Sequence, residues 1–206
     1  MPPTVMPTGL AREDLCRFLS ACYYEPTTDF KEERLFDSML AAAEAVHPEL
    51  AASARRLRAA FDAEDLQDLL VDYTKLFVGP GRPLAMPYGS FWLSGDATLM
   101  QDSTLAMADL YRQGGFDVSD DFGDLPDHVA VELEFLYVLL FSLQRAQGNG
   151  LPDEAKTIDA LKQRFLREHL GAWVGAFAAA TASNAETAFY RELAALTERF
   201  VQLENS

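Results

Sequence analysis

The sequence predicts an all-α protein with a long proline- and glycine-rich loop near its middle, and three observations carry that reading. Apolar residues recur at helical spacing through most of the chain. Period-two alternation bounded by hairpin signals is absent. The breaks between periodic stretches fall at prolines, a Gly-Gly pair and a run of aspartates. No internal repeat is visible. A chain of 206 residues fits one compact domain over 1–206, with roughly nine or ten helices.

Thr8 stands where an N-cap is expected for a helix through "GLAREDLCRFLSACYY", with Leu10, Leu15, Phe18, Leu19 and Cys22 on one face and Pro26 as its stop. Asp29 opens "FKEERLFDSMLAAAEAV", which His47-Pro48 closes, and the histidine there reads as a cap. "PELAASARRLRAAFD" has proline at a helix start and Leu50, Ala54, Leu57 and Phe61 at helical spacing. "AEDLQDLLVDYTKLF" follows, with Leu66, Leu69, Leu70, Tyr73 and Phe77. Then comes "VGPGRPLAMPYGSFW", residues 78–92, a helix-breaking stretch longer than ordinary connections and richer in aromatics than disordered segments.

"DATLMQDSTLAMADLYRQGG" reads as a helix stopped by Gly-Gly, and residues 116–127, "FDVSDDFGDLPD", as an irregular acidic connection. "DHVAVELEFLYVLLFSLQRAQG" is apolar almost all round and belongs at the centre of the core, with Asp127 as its expected cap. Residues 151–182 form one long helix or two that break near Gly171. "NAETAFYRELAALTERFVQLE" closes the chain with Asn184 as its expected cap.

A net charge of −15 repels nucleic acid and anionic lipid, and would attract a cationic partner. Cys16 and Cys22 lie on different faces of one helix, which argues against a disulfide and for a reducing compartment. The opening "MPPTVMPTGLAREDL" has neither a basic nor an apolar signal-peptide region. Apolar runs end before the roughly 18 residues that a membrane span needs. The expectation is a cytoplasmic protein without stable membrane insertion or nucleic-acid binding.

No dinucleotide fingerprint, phosphate loop, nucleophile elbow or Ser/His/Asp arrangement is present. His47, His128 and His169 are far apart in sequence. His128 and Glu132 share a helix face, but no third metal ligand is implied nearby, so neither a metal nor a catalytic residue is expected.

Two features stand above this background. One is "YTKLFVGPGRPLAMPYGSFW", which carries Tyr73, Leu76 and Phe77 before the break and Pro87, Tyr88 and Trp92 beyond it. The other is "LPDHVAVELEF", where Glu134 lies above Asp127 and Glu132 above His128, so that four polar groups gather at one end of an apolar helix. Burying charge is unfavourable unless it is paired, so a helix meant only for packing should not carry them. Pattern alone leaves two readings open. These residues are core and connector at a solvated helix start, or they form a peptide site.

The two motifs, in this order and separation, resemble the paired signature of the TorD/DmsD family, with NarJ more distant. The resemblance extends weakly to "FLREHLGAWVGAF". It implies the family's all-α fold and a cytoplasmic chaperone, without cofactor, that binds the twin-arginine leader, and sometimes the body, of an apo-molybdoenzyme. Export would then wait until the molybdopterin cofactor is inserted. The peptide-binding surface so implied comprises Tyr73, Leu76, Phe77, Pro87, Tyr88, Trp92, Asp127, His128, Glu132 and Glu134. The alternatives are a metal-dependent helical enzyme using His128 and Glu132, and a generic acidic adaptor with the loop as hinge. A monomer is expected, with a domain-swapped dimer hinged at 78–92 as the minor species.

Overall fold

Seven helices close into a ring, each packed on the next. The computed structural model describes residues 7–93, 102–116 and 125–206. The ring members are α1 (Thr8–Ala21), α8 (Val129–Gly148), α9 (Pro152–Glu168), α10 (Leu170–Asn184), α11 (Ala188–Glu204), α4 (Pro48–Ala63) and α3 (Leu35–Val46), which returns to α1. Between them lie a single turn, α2 (Asp29–Glu32), then α5 (Leu66–Tyr73), the short α6 (Gly89–Leu93) and α7 (Asp102–Gln113). No strand is present among the described residues; an isolated bridge pairs Tyr88 with His128. The same residues hold no helix long and apolar enough to cross a membrane. The start of the helix expected from Asp96, and residues 117–124 of the acidic connection, lie outside the described residues.

Helix α8 packs between α1 and α9 and buries one side; it is not enclosed all round as its composition predicts, since Phe141 is 43% exposed. Val129, Leu133, Phe135, Leu136 and Leu139 are buried, and Phe135 meets Tyr111 and Phe165 edge-on. A second aromatic group links the end of α1 to α10 and α11. There Phe77 meets Tyr23, Phe177 and Tyr190 at centroid distances of 5.5–5.9 Å. Edge and tilted contacts of this kind add to the burial of large rings. Cys16 and Cys22 are both buried thiols, and burial raises their pKa.

The helix ends differ from expectation in instructive ways. Thr8 does not cap α1. Pro7 occupies the cap position, and the Thr8 hydroxyl reaches the carbonyl of Ala45 instead. Leu10 is 48% exposed, and the buried face runs through Ala11, Leu15, Cys16 and Leu19. The helix expected from Asp29 is broken at Arg34, whose left-handed φ of 53° separates α2 from α3. His47 caps α4, its Nδ1 accepting from Glu49 N at 3.2 Å. The long C-terminal stretch is two helices, broken at His169. Asn184 is not the cap of α11, because its amide donates back to Ala180 O and Thr187 caps the helix. Two distant carboxylates complete that helix start. Asp72 accepts from Glu186 N and Thr187 N, and Glu64 accepts from Ala188 N and Phe189 N. Negative charge at the positive end of a helix is favourable.

Candidate functional site

The first motif begins where α5 widens into a π-helical turn, Thr74–Val78. Gly79, at φ 113°, closes it by donating to Thr74 O at 2.6 Å. Such wide turns shift the phase of a helix and are frequent at functional sites. Here the shift drives Leu76 and Phe77 into the core, at 0% and 5% exposure. Tyr73 stays half-buried, edge-on to Phe77 at 5.6 Å.

The loop after the π turn is strapped down by main-chain bonds at two places. Leu84 N donates to Lys75 O at 3.2 Å, and Ala85 N to Leu76 O at 2.8 Å. Further on, Val129 N donates to Pro87 O and Gly89 N to Asp127 O, each at 2.8 Å. This second pair joins the loop to the start of α8 and sets Tyr88 against His128. Their rings meet edge-on at 5.4 Å, while Tyr24 from the end of α1 stacks on the same imidazole at 6.1 Å. Trp92 lies inside α6, where its indole donates to Met86 O at 2.8 Å and its ring meets Phe91.

The polar residues of the second motif are each taken by a different neighbour. Asp127 does not cap α8. Its Oδ2 accepts from Ser90 N at 2.7 Å and so begins α6, whereas His128 caps α8 by accepting from Ala130 N. Glu132 is fully buried, and its Oε2 accepts from Trp173 Nε1 at 3.1 Å. Its Oε1 and Asp127 Oδ1 have no hydrogen-bond partner among the described residues. Burial holds the Glu132 carboxyl well above the usual carboxylate range; the Trp173 bond opposes this and the charge of Asp127 adds to it. Glu134 turns to α1, accepting from the hydroxyls of Ser20 and Tyr24 at 3.0 Å each. Gly89 is the point of closest approach, since a Cβ there would stand 2.9 Å from both Glu132 Oε1 and Trp173 Nε1.

The structure therefore divides the ten candidates. Leu76, Phe77, Pro87, Asp127, His128 and Glu132 are buried. Tyr73, Tyr88, Trp92 and Glu134 remain partly exposed. The single polar cluster expected at the start of α8 is instead split between α6, α10 and α1. His128 accepts from Ala130 N and Glu132 from Trp173 Nε1, and among the described residues no group of three His, Cys, Asp or Glu side chains could hold a metal ion. Sequence reasoning did not find Ser20, Tyr24 or Ser90. Each lies 37 or more residues from its partner, and nothing local signals the contact.

The sequence model of the nitrate reductase delta subunit family matches residues 41–179, from within α3 to within α10. That span takes in the π turn, the strapped loop, the start of α8 and Trp173. The chain belongs to this family, that of the TorD/NarJ-type chaperones. Its curated relatives agree. A chaperone protein TorD of Shewanella loihica is 28% identical over 178 residues, covering 84% of this chain and 78% of that one. One of Vibrio cholerae serotype O1 is 28% identical over 196 residues, covering 94% and 82%. The fold matches the crystal structure of a protein from Archaeoglobus fulgidus described as a redox enzyme maturation protein. The TM-score is 0.57 at 22% identity, with 93% of each chain covered. A TorD/NarJ-type chain of this kind is a maturation chaperone of redox enzymes and not a catalyst.

Proposed function

We propose that this chaperone works in the cytoplasm on an apo-molybdoenzyme of the dimethyl sulfoxide or trimethylamine oxide reductase type. It binds the enzyme's twin-arginine signal peptide and delays export until the molybdopterin cofactor is inserted. The observation that supports this reading best is the strap, in which Gly89 N donates to Asp127 O and Val129 N to Pro87 O, holding Tyr88 against His128 although forty residues separate them. Two motifs without an enzymatic arrangement are thereby fused into one edge, with Tyr73, Tyr88, Trp92 and Glu134 as its reachable members and the buried residues as their support.

A twin-arginine leader is cationic and then apolar. Half-buried aromatic rings provide contact area at low entropy loss, and carboxylates pair well with arginine. The chain's −15 charge adds long-range attraction. Affinity is expected near the micromolar range, about −8 kcal/mol, because the leader must order on binding and later be released. The whole chain acts as one domain and is chiefly monomeric, the loop at 78–92 being the hinge through which a minor swapped dimer would form.

Calorimetry with the client's synthetic leader tests this, comparing the wild-type leader with one carrying Lys-Lys in place of its arginine pair. Binding that weakens several-fold on the exchange is expected; equal binding of both would remove the role given to the carboxylates.

A further inference from the structure

Beside the strapped edge, and sharing Tyr24 and Glu134 with it, a groove of about 430 Å³ runs between α1 and α8. That volume lies within the range of ordinary ligand sites. The two helices run antiparallel, since Tyr24 and Ser20 meet Glu134 while Arg17 lies over Tyr137 one turn further along. The floor is mostly apolar: Ala21 on one wall, Tyr137 and Val138 on the other, Phe116 at the edge.

The groove is polar in the electrical sense. At one end Glu134 uses Oε1 for both of its hydrogen bonds, and Oε2 makes none among the described residues. At the other end Arg17 has a 64% exposed side chain which, among the described residues, meets Asp14 at 3.8 Å and the face of Tyr137. A cation is therefore favoured at the Glu134 end and opposed at the Arg17 end. A second copy of this chain is a poor occupant, because two surfaces of net charge −15 repel.

We infer that the α1–α8 groove receives the uncharged apolar stretch of the client leader, laid so that the preceding cationic residues face Glu134 and the apolar residues run toward Arg17. This rests on the leader-binding reading above and adds a second surface and a direction to it. From Glu134 to Val138, α8 offers about 6 Å of floor, enough for one turn of an apolar helix or two extended residues. Stacking of Tyr24 on His128 makes the groove continuous with the strapped edge.

The test uses the full chain and a fluorescently labelled synthetic peptide with an arginine pair followed by an uncharged Leu/Ala stretch, read by anisotropy. Ala21→Trp fills the groove and Val138→Asn makes its wall polar, both without changing charge. Each is expected to weaken binding about tenfold, with the helical circular dichroism unchanged. Arg17→Glu is expected to tighten it. Wild-type affinity in both Ala21→Trp and Val138→Asn, with the wild type binding normally, overturns the groove and leaves the leader reading standing. No binding by the wild type at all overturns both. A concentration-dependent dimer that Val138→Asn abolishes in sedimentation would assign the groove to a second copy, and would also overturn the inference.

Discussion

Tyr88 and His128 face each other across a two-bond main-chain bridge, their rings edge-on at an angle of 70°. The loop thus reaches α8 at the residue that caps it. Whatever moves Tyr88 is felt at the start of α8, and whatever loosens that start is felt in the loop.

The first prediction follows from this contact. Tyr88→Ala and His128→Ala should each weaken leader binding, and the double variant should be little worse than either alone. Edge-on aromatic pairs contribute about 0.5–1.5 kcal/mol beyond burial, and contacting residues show couplings of about 0.5–3 kcal/mol. A double-mutant cycle by calorimetry measures this. Additive losses would mean that the two residues serve separate surfaces.

Asp127 gives a sharper distinction, since its carboxylate is buried and already accepts from Ser90 N. If it acts by positioning α6, Asp127→Asn should keep most of the affinity, because an amide oxygen accepts the same bond. Asp127→Ala should lose it, together with about 1 kcal/mol of stability, as for other lost caps. Equal loss in both variants, with stability retained in Asn, would show that the charge itself meets the leader.

Much of the fold is legible in the sequence because helix existence depends on periodic burial, which Leu50, Ala54 and Leu57 or Leu133 and Leu136 display openly. Helix ends are less legible because a cap is a competition among acceptors. Asn184 loses to Thr187, and behind Thr187 stand Asp72 and Glu64, more than a hundred residues away. The same limit governs the site. Angular position puts Glu132 near His128 and Glu134 near Asp127, but the direction each carboxylate takes depends on Trp173 and on Ser20 and Tyr24, which arrive from other helices. The π turn, which changes Phe77 from an edge residue into a core one, has no sequence signature beyond the glycine that closes it.

Gly89 supplies a steric test of the strap. A methyl group there would press on Glu132 Oε1 and on the indole of Trp173, which is only 1% exposed and cannot turn away. Overpacking of this sort usually destabilises by about 1–3 kcal/mol. Gly89→Ala should therefore lower the urea midpoint and weaken leader binding together, through displacement of α6 from α10. An unchanged midpoint would show that α6 and the Trp173 indole can part enough to admit a methyl group at no cost.

The buried Glu132 makes stability depend on pH in a direction that can be fixed in advance. Burial raises its folded-state pKa above the ordinary value of 4.5. Above that value the unfolded chain releases the proton while the folded chain keeps it, so the folded state binds more protons and stability falls as pH rises. The contribution is fully present below pH 4.5 and is lost progressively up to the raised folded value. The slope can reach about 1.4 kcal/mol per pH unit, and each kcal/mol corresponds to about 2–4 °C in Tm for a chain of this size. Glu132→Gln has no proton to lose, yet its amide oxygen can still accept from Trp173. Its buried amide N–H groups lower stability by a similar amount at every pH, which shifts the curve without tilting it. Thermal melts between pH 4.5 and neutrality should therefore show the wild type losing stability more steeply than Glu132→Gln; parallel curves would mean that Glu132 is ionised in the folded chain.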